Sequence, residues 1–135
     1  MRILIAEDDL ASRRFLIKFL KQYGEPEITV DGAEALEAFM LSHREERPYD
    51  LVCLDIMMPK LDGMKVLKAV REIENDKKIE KAKKTKIIMI TALNDSENVY
   101  GAFDSGCEGY AVKPINIDKL TEVLSKLGFE KNEAL

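Results

Sequence analysis

The sequence predicts an α/β fold in which a parallel sheet of five strands is doubly wound by helices. Short apolar runs recur along the chain, and they are continuous rather than alternating, which is typical of strands buried on both faces. Segments with helical periodicity separate these runs, so a strand followed by a helix is repeated five times. Right-handed crossovers between parallel strands then place helices on both faces of one sheet.

The five predicted strands end, with one exception, in polar residues. The apolar runs are 3–6, 28–30, 51–54, 87–90 and 110–112. The second run is short, and we expect it at an edge of the sheet. The residues that follow the other four runs are Glu7-Asp8, Asp55, Thr91 and Lys113-Pro114. Because sites in such sheets lie at the carboxyl ends of the strands, we expect these side chains to lie together.

Apolar stripes at helical spacing predict the five helices. The stripes are Phe15, Leu16, Phe19 and Leu20; Ala35, Leu36, Phe39 and Met40; Val66, Leu67, Val70 and Ile73; Val99, Ala102 and Phe103; and Leu120, Val123, Leu124 and Leu127. Asp31 with Glu34, and Asn94 with Glu97, have the spacing of helix N-terminal caps. Gly24 and Gly128 follow predicted helices, as C-terminal caps do.

The bulk properties indicate one ordinary globular domain. The chain has 135 residues, 46% hydrophobic and 34% charged, and a net charge of -4 that argues against nucleic acid or an anionic membrane as its main partner. No run is long enough to span a membrane, and the N-terminus does not resemble a signal peptide. We expect a domain over residues 1–128, a short C-terminal tail over 129–135, no second domain, and a cytoplasmic location.

Three further features favour structural roles. Cys53 and Cys107 fit no metal or redox spacing, and we expect both to be buried thiols in a reducing compartment. His43, the one histidine, is expected to be exposed to solvent and not catalytic. Residues 77–86 form a lysine-rich connection before the fourth strand, which is either a solvated helix extension and loop or a docking patch for an acidic partner.

The polar strand ends have the chemistry of a metal-assisted phosphoryl-transfer site. Clustered carboxylates repel one another unless a cation neutralises them, and oxygen ligands without histidine or cysteine favour Mg²⁺. A lysine and a hydroxyl beside that ion would complete the charge partners of a phosphoryl group. One carboxylate could then act as the nucleophile and form an aspartyl phosphate.

Competing phosphate-binding and hydrolase motifs are absent from the sequence. It contains no GxxxxGK[ST] loop, no GxGxxG and no GxSxG. Phosphatases of the haloacid-dehalogenase kind are disfavoured too, because Met57 stands where their second aspartate would follow Asp55.

These residues resemble the receiver domains of two-component response regulators, of the stand-alone chemotaxis type. The matching motifs are residues 3–9 (ILIAEDD), 48–59 (PYDLVCLDIMMP), 61–63 (LDG), 91–92 (TA) and 113–114 (KP). The resemblance extends over essentially the whole chain. It implies a flavodoxin-like fold with strand order 2-1-3-4-5 and a receiver domain over residues 1–128.

The resemblance also implies roles for the acids. Asp55 would be the phosphoacceptor, and Asp8, Asp55 and the backbone carbonyl of Met57 would bind Mg²⁺. Glu7 would support the metal site as the other member of the acidic pair. Asp9 competes for that assignment, since three acids stand in a row, but we expect it to cap a helix.

The remaining implied roles belong to a conformational switch. Thr91 would hydrogen-bond the phosphoryl group, and Lys113 would pair with Asp55 before transfer and with a phosphoryl oxygen afterwards, its bond to proline being typically cis in the family. Tyr110 would be the switch aromatic or, alternatively, a half-buried edge-strand tyrosine. Met57 and Leu93 are apolar at positions that influence attack by water, so we expect slow dephosphorylation.

The implied activity is that of a signalling switch rather than a metabolic enzyme. A sensor histidine kinase or phosphotransfer protein would supply the phosphoryl group, and an output protein would read the face made by the fourth helix, fifth strand and fifth helix. The protein would be a monomer or a phosphorylation-dependent dimer. Two alternatives stay open: a phosphorelay intermediate that passes the group to another histidine, and a pseudo-receiver that binds proteins without phosphorylation.

Overall fold

Five strands and five helices alternate along the chain, as predicted. The computed structural model describes residues 1–92 and 96–132, and the side chains of all of these except 96–99. The strands are β1 (Arg2–Ala6), β2 (Glu25–Thr29), β3 (Leu51–Asp55), β4 (Lys86–Thr91) and β5 (Gly109–Val112). The helices are α1 (Leu10–Leu20), α2 (Gly32–Arg44), α3 (Gly63–Asp76), α4 (Ser96–Asp104) and α5 (Ile117–Lys126), with a short 3-10 helix at Lys81–Lys83.

The strands form one parallel sheet in the order β2-β1-β3-β4-β5, which confirms the predicted doubly wound topology. β2 lies at an edge, as expected, but it begins at Glu25 rather than at residue 28. Its first residues pair with β1, Arg2 opposite Glu25. Those residues are polar or proline, as edge strands often are, so an apolar pattern could not reveal them.

Each face of the sheet has its own hydrophobic core. On one face α1 and α5 pack on strand residues Ile3, Ile5, Leu51, Cys53, Ile88 and Ile90. On the other face α2, α3 and α4 pack on Leu4, Ala6, Val52, Leu54, Ile87 and Met89. Successive residues of a strand point to opposite faces, so burial on both faces explains why the strands read as continuous apolar runs.

Local capping explains where several helices begin and end. Asp31 accepts a hydrogen bond from the backbone N–H of Glu34 at the start of α2, which confirms the predicted cap. Gly128 follows α5 with φ of 91°, a left-handed conformation that glycine adopts without strain. Gly24 donates its N–H to the carbonyl of Leu20 at the end of α1. The predicted cap Asn94 lies outside the described residues.

The described side chains of the predicted helix stripes are buried or partly buried, with two exceptions. Met40 on α2 and Phe103 on α4 are 41% and 43% exposed. The Phe103 ring instead meets the ring of Tyr110 edge-on, with centroids 5.7 Å apart, on the outer surface of the domain. The side chain of Val99, also predicted for that stripe, lies outside the described part of the chain.

His43 corrects one expectation, because it is partly buried rather than solvent-exposed. Its ring packs against Phe39 with centroids 4.7 Å apart, and its Nε2 atom is buried with no hydrogen-bond partner among the described residues. Burial lowers the pKa of His43, the charge of Lys77 adds to that effect, and Glu74 opposes it. It stands near the C-terminus of α2, one position before Arg44.

The remaining structural expectations concern the thiols, the lysine-rich connection and the tail. Both cysteines are buried and unpaired, and burial raises the pKa of Cys53 to about 12. The connection over 77–86 is a turn, the 3-10 helix and a loop that ends at Lys86, the first residue of β4; the expected helix extension is not found there, because α3 ends at Asp76. Beyond α5, the partly buried Phe129 packs against the core that α1 and α5 cover, and the N–H of Asn132 donates to the carbonyl of Gln22. Among the described residues no helix combines the length and apolarity needed to cross a membrane.

Candidate functional site

Acids from β1 and β3 meet at the carboxyl edge of the sheet. The parallel register places Ala6 beside Leu54, so the residues that follow, Glu7 and Asp55, leave neighbouring strands at the same level. Glu7 is fully buried and Asp55 is 3% exposed. Asp8 is exposed beside them. The predicted juxtaposition of acids is therefore present.

Lys113 connects these acids from the end of β5. Its Nζ lies 2.7 Å from Oε1 of Glu7 and 3.1 Å from Oδ2 of Asp55. The backbone N–H of Lys113 also donates to the carbonyl of Thr91, so the ends of β4 and β5 are joined at this point. The Lys113–Pro114 peptide bond is cis, as the resemblance implies. One ammonium thus faces two buried carboxylates.

The three acids fit a divalent cation. One carboxylate oxygen from each of Glu7, Asp8 and Asp55 lies within 4.8 Å of the others. Oε2 of Glu7 is buried and has no hydrogen-bond partner among the described residues. An unpartnered buried carboxylate oxygen is costly unless a cation or water completes it. Oxygen donors without nitrogen or sulfur suit Mg²⁺.

Burial and mutual repulsion govern the protonation of this cluster. Burial raises the pKa of Glu7 to about 7; Asp55 adds to the effect, and Lys113 opposes it. Burial likewise raises the pKa of Asp55, against the hydrogen bond from Lys113. For Lys113 burial acts to lower the pKa, but the hydrogen bonds to both carboxylates outweigh it and raise the pKa. The positive charge of one lysine therefore neutralises the negative charge of the acids only in part.

The loop after β3 holds the carboxylate of Asp55 in place. The backbone N–H of Met57 donates to Oδ1 of Asp55 at 3.2 Å. The Met57 side chain is 67% exposed. The loop turns back tightly, because the N–H of Gly63 donates to the carbonyl of Ile56, and a Cβ at position 63 would clash with the carbonyl oxygen of Asp55. One carboxylate oxygen of Asp55 thus accepts a hydrogen bond from the loop backbone, and the other accepts one from Lys113.

Thr91 completes the group of predicted residues at the edge. It is the last residue of β4 and is 1% exposed. The ladder places Asp55 beside Ile90, so the threonine lies one position further along a strand adjacent to the phosphoacceptor candidate. Leu93, predicted to limit access of water, lies outside the described residues.

Asp9 is a helix cap, as expected, and it is joined by a residue that the sequence did not single out. Asp9 accepts a hydrogen bond from the N–H of Ser12 at the start of α1, which lowers the pKa of Asp9. Arg13 points its Nη1 at the carbonyls of Glu7 and Asp8, at 3.2 and 3.4 Å. Arg13 follows the cap residue Asp9 by four positions, which is about one helical turn. This spacing is the feature of the sequence that could have identified Arg13 as a neighbour of the site.

Tyr110 and its neighbours form a surface next to the site. The Tyr110 side chain is 41% exposed and contacts Phe103, while Tyr100 on α4 is 74% exposed. A groove of about 600 Å³ runs from this ring between β5 and α5, and reaches Lys113. The surface is continuous with the carboxylate site through this lysine.

Known proteins share both the fold and the sequence pattern. The sequence model of the response regulator receiver domain matches residues 3–125. The chain is 33% identical to the chemotaxis protein CheY of Bacillus subtilis over 128 residues, covering 93% of this chain and 95% of that protein. It is 38% identical over 120 residues to the probable transcriptional regulator ycf27 of Cyanophora paradoxa, covering 88% of this chain.

Coverage differs widely among these relatives. The chain spans 44% of the Cyanophora protein, which is less than half of its length. Among solved structures, the receiver domain of Francisella response regulator 1452 superposes with a TM-score of 0.71 at 31% identity, covering 93% of this chain and 94% of that one.

Proposed function

Since this chain belongs to the response regulator receiver domains of two-component signalling, we propose that it is a phosphorylation switch whose phosphoacceptor is Asp55. Phosphorylation of an aspartate is general to this family. The observation that carries the assignment is the pair of hydrogen bonds from Lys113 to Glu7 and Asp55. They place the lysine ammonium beside the buried carboxylate of Asp55.

In the proposed reaction, a carboxylate oxygen of Asp55 attacks the phosphorus of a phosphohistidine on a kinase or phosphotransfer protein. The new O–P bond forms as the P–N bond breaks, and the imidazole nitrogen keeps the electron pair of that bond. Lys113 donates a hydrogen bond to a phosphoryl oxygen as charge develops there, and the hydroxyl of Thr91 donates another. Hydrolysis by water reverses the switch.

Asp8, Asp55 and the backbone carbonyl of Met57 are the proposed ligands for Mg²⁺, with Glu7 supporting them. The bound ion supplies positive charge to the phosphoryl oxygens. Arg13 donates hydrogen bonds to the backbone carbonyls of Glu7 and Asp8, and so would fix the backbone that carries two of the acids.

We assign the output to the surface made by α4, β5 and α5. Tyr110 and Phe103 place exposed aromatic area there, and the groove beside them reaches Lys113. Aromatic rings are frequent anchors of protein interfaces. A stand-alone role is supported by the match to the chemotaxis protein of Bacillus subtilis over nearly its whole length. Phosphorylation then changes the affinity of this surface for its partner.

Intact-mass spectrometry after incubation with acetyl phosphate and Mg²⁺ tests the proposal. Wild type should gain one phosphoryl group, and omitting Mg²⁺ should prevent the gain. Asp55→Asn should gain none. Asp76→Asn, at an exposed position at the end of α3, is the matched control and should gain one group as wild type does.

The outcome also separates the alternatives. Equal labelling of Asp55→Asn and wild type would overturn the phosphoacceptor assignment, and no labelling of wild type would favour a pseudo-receiver. Transfer of the label from Asp55 to a histidine phosphotransfer domain, faster than its hydrolysis, would favour a phosphorelay intermediate.

A further inference from the structure

Residues 77–86, here called the lysine loop, are held in place by buried polar contacts. Glu74 is fully buried, and its Oε2 accepts a hydrogen bond from the N–H of Thr85 at 2.8 Å. The backbone of Ile79 donates to the carbonyl of Glu74 at 3.0 Å. The hydroxyl of Thr85 donates to the carbonyl of Tyr49 at 2.7 Å. Both the beginning and the end of the loop are therefore attached to the core.

Arg71 reinforces this attachment. Its Nη1 donates to Oε1 of Glu74 at 2.6 Å and to the carbonyl of Thr85 at 2.9 Å. Its Nη2 reaches the carboxylate of Glu108 at 2.6 Å. The loop thus has a defined conformation before any partner arrives, which lowers the entropy that binding would otherwise cost.

The lysine loop concentrates positive charge on an otherwise acidic chain. It contains one acid, Glu80, and six lysines: Lys77, Lys78, Lys81, Lys83, Lys84 and Lys86. Its formal charge is therefore +5, and because the whole chain carries -4, the remainder carries -9. Such opposite charge within one domain creates a directed field that attracts acidic partners.

The charges of the loop are not neutralised within the domain. Among the residues that the structure describes, none of the six lysines forms an ion pair with a carboxylate. Lys84 donates to the amide oxygen of Asn75, and Lys78, Lys81 and Lys83 are exposed. An ordered surface with uncompensated like charges is disposed to bind the opposite charge.

The lysine loop lies at the edge of the sheet opposite to the phosphoacceptor. Its last residue, Lys86, begins β4, whereas Thr91 ends that strand beside the site. The six residues of β4 separate the two edges by about 20 Å. A partner bound at the loop would leave the carboxylate edge accessible.

We propose that the lysine loop is a docking surface for an acidic segment of a partner protein, and that it tethers this partner whether or not Asp55 is phosphorylated. Nucleic acid fits less well, since the loop has no aromatic side chain to stack on bases and no arginine to pair with phosphate or guanine. A membrane fits less well because Ile79, the one large apolar side chain of the loop, is half-buried.

Fluorescence anisotropy with a fluorescein-labelled glutamate-rich peptide tests the proposal on the full chain at about 0.15 M salt. The loop variant is K78Q/K81Q/K83Q, and K18Q/K65Q/K68Q is the control with the same change of net charge at other exposed lysines. We expect wild type and control to bind alike, and the loop variant to bind about tenfold more weakly. Asp55→Asn, and wild type treated with acetyl phosphate, should bind as untreated wild type does.

Absence of binding by wild type, or equal weakening in both triple variants, would overturn the proposal. An RNA oligonucleotide or phosphatidylserine vesicles bound more tightly than the peptide would overturn the choice of partner. The Asp55→Asn variant cannot be phosphorylated at residue 55, so its binding to the peptide does not depend on phosphorylation. If the proposed phosphorylation switch were wrong, the peptide affinities of the variants would therefore stay as expected.

Discussion

Nζ of Lys113 lies closer to Oε1 of Glu7, at 2.7 Å, than to the carboxylate of the phosphoacceptor candidate, at 3.1 Å. The shorter contact is made to a side chain that is fully buried. The lysine therefore stabilises Glu7 as well as the phosphoacceptor candidate, and this cluster of carboxylates keeps an excess of negative charge.

Replacing Glu7 by glutamine should stabilise the protein without metal. Burial raises the pKa of Glu7 from 4.5 to about 7. A carboxyl whose pKa is raised by folding favours the folded state at low pH, and this contribution is lost as pH rises from 4.5 to about 7. Glu7→Gln should therefore raise the free energy of unfolding at pH 8 by about 1 kcal/mol or more, measured by urea denaturation.

The Glu7→Gln variant should also be stabilised less by Mg²⁺ than wild type is. Ligands that bind only the folded state raise its stability in proportion to their affinity. Added Mg²⁺ should raise the midpoint of unfolding more in wild type than in Glu7→Gln. Glu72→Gln, at an exposed position on α3, should behave as wild type. An equal Mg²⁺ effect in all three proteins would contradict a supporting role for Glu7.

Lys113→Arg should slow phosphorylation while keeping the charge. The planar guanidinium is larger than an ammonium and cannot reproduce two bonds from one nitrogen to Glu7 and Asp55. We expect the rate of labelling by acetyl phosphate to fall by about tenfold or more, followed by intact mass over time. Lys119→Arg, on the exposed side of α5, should label at the wild-type rate. Wild-type labelling by Lys113→Arg would show that the geometry of this lysine is unimportant.

Met57→Asn should shorten the lifetime of the phosphorylated state. The Met57 side chain is 67% exposed beside Asp55 and cannot orient an attacking water, whereas an amide can. We expect loss of the phosphoryl group to accelerate by about tenfold in a dephosphorylation time course, and Leu93→Glu to accelerate it too. Met40→Asn on α2 serves as control. Unchanged decay in both Met57→Asn and Leu93→Glu would refute the idea.

Arg71→Met should destabilise the fold strongly. It removes the charge partner of Glu74, which is fully buried, and also the contact to Glu108. Leaving a buried carboxylate unpaired costs about 3–5 kcal/mol, measurable by urea denaturation. The double variant Arg71→Met/Glu74→Met should be less destabilised than the sum of the single variants. Arg44→Met, exposed on α2, should change stability by less than about 0.5 kcal/mol. If the effects of Arg71→Met and Glu74→Met on the free energy of unfolding were additive, the two side chains would not be coupled.

His43 should make stability fall in mildly acidic solution. Folding lowers the pKa of His43 from 6.5, so the unfolded chain binds the proton more tightly. Above pH 6.5 the histidine is neutral in both the folded and the unfolded chain, and it does not affect the free energy of unfolding. As pH falls below that value toward the lower pKa of the folded state, the unfolded chain binds a proton first, and stability is lost. Urea denaturation at successive pH values should show a smaller loss in His43→Gln than in wild type. The same pH dependence in both proteins would exclude His43 as its source.

The sequence determined the alternation of strands and helices. It also determined which polar residues stand at the carboxyl edge of the sheet. Buried strands flanked by helices on both faces must be apolar at every position, so the runs over 3–6, 51–54 and 87–90 stood out. Edge strand β2 was less visible, because one side of it faces solvent and its first residues carry no apolar pattern. The caps Asp9 and Asp31 were predictable because their partners lie three residues away.

Only the tertiary structure decided the contacts between residues distant in sequence. Glu7 and Lys113 are 106 residues apart, and their 2.7 Å contact depends on the strand order that brings the ends of β1 and β5 toward β3. The partial burial of His43 likewise depends on how α2 packs, which a lone polar residue near a helix end does not reveal. Local patterns specify elements through short-range sterics and periodicity, whereas burial, pKa shifts and ion pairs arise from packing across the whole fold.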